Sequence, residues 1–243
     1  MTDKTTQDDR PPTPEEARAL AIADAKRLMR TARVGALATF DGEDRAPLAT
    51  LIGVASDWDG APLFLMSELS RHTKNLAGDA RASLLLTTQG GRGDPLNQPR
   101  LTIGGPVAAE MNPSAKARYL RRNPKAKLYA GFSDFSVRRM QIESVHFNGG
   151  FGRADALTPA DILVPGDVSA LIAAEDELIG FIESLGDQRL AALTEGASSG
   201  RRVWRAVGID AEGFELSAGA SVVRVNLSQP EFEPEAWRRR FAG

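Results

Sequence analysis

The 243-residue sequence has no cysteine and only two histidines, His72 and His146. A disulfide framework, a thiolate nucleophile and a thiolate metal site are therefore excluded. One chain cannot supply a multi-histidine metal cage, and no metal site is assigned. A strong charge of either sign is also missing, since the formal net charge is −2. That is not the footprint of a nucleic-acid-binding surface, and no nucleic-acid partner is expected. The sequence lacks a run of about 18 apolar residues, so no membrane span is predicted. Its polar start, MTDKTTQDDRPPTPEE, lacks the cationic end and apolar stretch of a secretory signal. A cytoplasmic location is the expectation.

What remains is an ordinary globular composition, 42% apolar and 26% charged. At this length the chain forms one large domain or two, with a core that needs no covalent staple. Residues 1–13 read as a disordered N-terminus. Thr13-Pro14-Glu15-Glu16 is a capping box with proline in the first turn, predicting a helix to about residue 30. Strands are predicted over residues 34–40, 46–55, 63–66, 82–88, 101–110 and 135–147. The second of these is apolar enough to be partly buried on both faces. Short helices are expected at 71–78, after Asn112-Pro113, and from Asn123-Pro124 to Tyr129. Many short strands with few helical interruptions favour a small barrel over a βαβ sheet.

Pro159 and Pro165 mark a boundary, giving domains over 14–157 and 166–243. In the second, Leu171, Ile172, Leu178, Ile179 and Ile182 recur at helical spacing. A helix over 187–194, strands over 202–209, 214–216 and 222–227, and a terminal helix over 234–241 complete an α+β unit. The stretch 210–213 is the hairpin turn.

The segment SRHTKNL, residues 70–76, follows the apolar run PLFLM. With Ser70 as N-cap, its hydroxyl would satisfy a free backbone N–H, and the helix start would favour an anion. Arg71 supplies a two-pronged donor, Lys74 a point charge and Ser67 a hydroxyl from the preceding strand. This set suits a phosphate monoester. The simpler reading is a capped, solvated basic helix. His146, between Val145 and Phe147, reads as a hydrogen-bonded structural residue. The glycine run at 149–152 matches neither the dinucleotide fingerprint nor the phosphate loop. It reads as a bulge or a close backbone approach.

The segment LFLMSELSRHTKNLAGDARASLLL resembles the FMN-binding split-barrel family typified by pyridoxamine 5′-phosphate oxidase. That resemblance implies a phosphate site at Ser67, Ser70, Arg71 and Lys74, with His72 in place of the family's lysine. It also implies main-chain contacts from Thr50 and Leu51 to the flavin ring. The family's phosphate-binding arginine and lysine fall at Ala49 and Val54. The motifs RVGALAT, SRHTKNL and GGFGRA, and the later stretches AAEDELIGFIESL and VGID-AEGF, are similar to the haem-utilisation, HugZ-type branch. Those proteins carry a C-terminal α+β domain. The resemblance implies a split β-barrel followed by a small α+β domain, assembled as a homodimer whose subunits share the site.

FMN is the expected cofactor, and an FMN-dependent oxidoreductase of unknown substrate is the leading reading, with no catalytic acid or base assigned. Haem binding or degradation is the alternative. It lacks the C-terminal histidine ligand that haem-degrading relatives use, leaving His146 as the histidine beside the glycine run. A non-catalytic dimeric protein-binding module is the third reading.

Overall fold

The computed structural model describes residues 12–88, 93–150, 154–194 and 202–241. The expected disorder of residues 1–13 falls almost wholly outside them, as does half of the glycine run. Helix α1 (Pro14–Thr31) opens as its capping box dictates. Thr13 Oγ1 accepts from the Glu16 N–H at 3.3 Å, and the Glu16 carboxylate accepts from the Thr13 N–H at 2.8 Å. Ala21, Ala25, Leu28 and Met29 seat the helix on the barrel core.

The barrel strands are β1 (Val34–Asp41), β2 (Ala46–Gly53), β3 (Ala55–Ser56), β4 (Pro62–Ser67), β5 (Arg81–Thr87), β6 (Arg100–Ala109), β7 (Phe135–Met140), β8 (Ser144–Asn148) and β9 (Ala154–Leu157). Helices α2 (Arg71–Gly78) and α3 (Ser114–Arg122) interrupt them. The strands form one antiparallel sheet in the order β2-β1-β5-β6-β7-β4-β3, with β8 and β9 branching from β6. This is a split barrel. The split occurs on β6, whose first half pairs with β8 and whose last residues pair with β7. At the change of partner, a Cβ on Gly105 would lie 1.9 Å from the Gln141 carbonyl oxygen, so only glycine fits.

That change of partner corrects the single strand expected over 135–147. The chain breaks at 141–143 to cross from one end of β6 to the other, where Gln141 and Glu143 donate to the carbonyls of Pro106 and Gly104. The expected strand over 46–55 likewise ends at Gly53, and β2 is exposed along one side rather than buried on both.

The second half comprises α4 (Pro159–Ile162), α5 (Ser169–Ser184), α6 (Asp187–Ala192), β10 (Arg205–Asp210), β11 (Gly213–Ala218), β12 (Ser221–Asn226) and α7 (Pro234–Arg239). The hairpin turn is tighter than expected, since Asp210 and Gly213 already belong to paired strands. Leu171, Leu178, Ile182, Phe214, Leu216 and Trp237 form its core. Ile172 instead faces Trp58, Leu63 and Tyr119 of the barrel.

Buried charges join the two halves. Arg118, 1% exposed, donates to the Ser56 carbonyl at 2.7 Å, to the Ile209 carbonyl at 2.8 Å and to Glu175. Arg30 meets Asp210 at 3.0 Å, and Arg224 grips Asp210 through two nitrogens. Burial by itself would raise the Asp210 carboxyl. The guanidinium groups of Arg224, Arg30 and Arg118 outweigh it and hold the group at about 2.

Candidate functional site

The antiparallel register builds two parallel rows across the barrel sheet. Leu37, Leu84, Ile103, Val145 and Leu157 stand opposite one another on β1, β5, β6, β8 and β9, and all are buried. One residue along, Leu51, Ala36, Leu85, Thr102, His146 and Ala156 form a second row on the opposite face. Side chains alternate across a strand, so a buried row requires an outward one. Here the outward row is largely apolar and open, with Leu51 77% and Leu85 37% exposed.

His146 belongs to this outer row, which corrects the expectation of a hydrogen-bonded structural histidine. Val145 and Phe147 take the inward positions and leave the imidazole exposed, with no hydrogen-bond partner among the described residues. The signal for this was the alternation Val145-His146-Phe147 within a strand.

Of the residues predicted for the phosphate, Ser67 ends β4 and Ser70, Arg71, His72 and Lys74 lie at the start of α2, while Thr50, predicted to contact the ring, faces them from β2. His72 bridges two hydroxyls, with Nδ1 3.2 Å from Thr50 Oγ1 and Nε2 2.9 Å from Ser70 Oγ. Burial lowers the pKa of its imidazole, favouring the neutral ring. Ser70 sits at the N-cap but does not cap with its side chain. Its hydroxyl donates instead to the Ser67 carbonyl at 2.7 Å and lies 2.7 Å from Thr73 Oγ1. Ser67 Oγ donates to Asp134. Arg71 turns away to Asp41, making a bidentate pair at 2.6 and 2.8 Å. That pairing lowers the Asp41 pKa, through hydrogen bonding to Arg71 first.

Ser67, Ser70, His72 and Thr50 therefore form one connected group. Arg71 and Lys74 line a separate cleft of about 600 Å³ with Phe40, Arg45 and Asp79. Leu51 points to the other face of the sheet. Among the described residues no group of three or more His, Asp or Glu is placed to hold a metal ion, and no helix is long and apolar enough to cross a membrane.

Comparison with known proteins agrees with this architecture. The family model described as CREG, beta-barrel matches residues 15–162. The chloroplastic non-canonical heme oxygenase HOZ of Arabidopsis thaliana is 28% identical over 144 residues, which are 57% of this chain and 43% of that protein. The chain thus spans less than half the length of that curated relative. Among solved structures, protein Atu2129 of Agrobacterium tumefaciens, of unknown function, is 33% identical with a TM-score of 0.78. That likeness covers 96% of this chain and 99% of the other. A heme binding protein from Mycobacterium smegmatis is 25% identical with a TM-score of 0.56, covering 95% of each chain. With the split barrel in place and the family model spanning more than half of its length, the chain belongs to the CREG β-barrel family.

Proposed function

We propose that the protein binds haem on the outer face of its barrel sheet, as a homodimer in which a second copy covers that face. The observation that carries this reading is the in-register row Leu51–Ala36–Leu85–Thr102–His146–Ala156, apolar along most of its length and holding an imidazole with no partner among the described residues. Haem is a flat apolar ring whose iron takes a protein ligand such as histidine. His146 would supply that ligand, its row neighbours Leu85 and Ala156 would supply apolar contact to the ring, and Ala36 and Leu51 would continue the apolar face beyond it. When bound, haem contributes ligand-binding or redox chemistry at its iron; this chain's residues hold and orient it. The names of the Arabidopsis and Mycobacterium relatives support the same class of ligand.

The test is a haemin titration of the full chain and of His146→Ala, followed by the Soret band. One haem per subunit is expected for the wild type, with binding at least about tenfold weaker in the variant, the scale of one lost strong interaction. A titration without saturation, or one indifferent to His146→Ala, overturns the proposal.

The second reading, an FMN-dependent oxidoreductase, draws on the cleft lined by Arg71 and Lys74. It requires Arg71 to leave Asp41. Asp41→Asn would then release the guanidinium and tighten FMN but not riboflavin, which lacks the phosphate. Equal binding of both flavins by the wild type and the variant would remove this reading.

A further inference from the structure

A second cleft lies where the two halves of the chain meet. The last turn of α1, the end of β5 and the β11–β12 hairpin enclose about 530 Å³. That volume is in the range of small-molecule sites, which favour junctions of this kind. None of the outer-row residues lines it. Its floor is apolar, with Leu28 and Ala32 buried and Val222 opposite. Its walls carry the hydroxyls of Thr31, Thr87 and Ser221, and among the described residues neither aspartate nor glutamate lines it.

The cations around it differ in how they are satisfied. Arg27 is neutralised by Asp24 at 2.9 Å. Arg33 is not. Its Nη1 donates to the Gly219 carbonyl at 2.7 Å, and no carboxylate pairs with it among the described residues. Arg202 reaches the lining in the same manner, donating to Ser221 Oγ, and it too lacks a carboxylate partner among the described residues. Two guanidinium groups are thus held by neutral oxygens of one hairpin, beside hydroxyls and an apolar floor. A guanidinium in that state retains donors and charge for a planar or tetrahedral anion.

We propose that this cleft binds a small organic anion. Its carboxylate or phosphate would be held by Arg33, Arg202 and the flanking hydroxyls, and its apolar body would rest on Leu28 and Val222. Because α1 and β5 belong to the barrel and the hairpin to the second half, the bound anion bridges the two.

The experiment uses the ¹⁵N-labelled full chain, titrated separately with phenyl phosphate and with benzoate and followed by amide shifts. Saturable shifts are expected at Thr31, Thr87, Ser221 and Val222, and the probe that saturates first identifies the head group. Arg33→Gln should weaken binding about tenfold, the scale of one charge-assisted hydrogen bond. Val222→Trp fills the cleft without touching the charges and should abolish binding. Val222 lies outside the packed core of the second half, so this variant keeps the test available if Arg33→Gln disturbs the hairpin. Shifts that fail to saturate by about 10 mM, or that persist unchanged in both variants, overturn the proposal.

Discussion

Glu175 falls in the apolar stripe of α5 between Leu171 and Leu178, and it is 3% exposed. An unpaired carboxylate there would be strongly unfavourable. Arg118 and Arg121 make the position tolerable by converging on its two oxygens. Glu175→Leu would complete the stripe and leave Arg118 buried without its countercharge. The expected loss is about 3–5 kcal/mol in urea denaturation. The double variant with Arg118→Met should recover most of it, since an apolar pair needs no neutralisation. A single variant as stable as the wild type would show that Glu175 does not hold Arg118.

Asp210 adds a pH dependence of defined sign. Its folded pKa is depressed to about 2. The stabilisation is therefore complete above the unfolded value near 4 and is lost as pH falls from there toward 2. Thermal denaturation against pH should show this acid limb, and Asp210→Asn should flatten it at the cost of a lower plateau.

Strand β2 is where the proposed contact with a second copy can be tested. It lies at the edge of the sheet path, and Pro47 within it suits an edge position because proline cannot donate to a ladder. Ala46, Pro47, Ala49 and Leu51 are exposed, so the edge carries apolar groups that a lone chain leaves in water. Natural edges are commonly blunted by charge, and this one is not. The wild type is expected to sediment as a dimer at micromolar concentration, and Leu51→Asp should shift it toward monomer while leaving the core unchanged. A wild type that sediments as a monomer, or a dimer unaffected by the substitution, would sink the covered-face proposal and with it the shared haem site.

The barrel and the second half depend on each other through the ionic seam. Arg30, Arg118 and Arg122 are buried barrel residues, and Glu175, Asp210 and Glu215 are buried residues beyond the boundary prolines. Ending the chain near residue 165 would expose the Trp58 and Tyr119 cluster where Val168 and Ile172 now pack, and would remove the partners of Arg118 and Arg30. Such a fragment should be insoluble or melt well below the intact chain. A soluble fragment with an undiminished melting temperature would show instead that the barrel is self-sufficient.

Local signals in the chain were sufficient for the capping box at Thr13, the alternating strands, the amphipathic α5 and the motifs shared with split-barrel proteins. Each depends on residues a few positions apart, where backbone geometry dictates which side chains share a face. The same alternation was present in Val145-His146-Phe147 and would have placed His146 outside, although the expectation there was a structural histidine. Three other features required the folded chain. Breaking 135–147 into β7 and β8 depended on β6 exchanging partners at Gly105. The withdrawal of Arg71 from an anion site depended on Asp41 lying within reach. The seam joins side chains as distant as Lys26 and Glu212, 186 residues apart. A charge can be read from sequence, but its partner cannot, because Coulombic and hydrogen-bond energies depend on distances that only long-range packing sets.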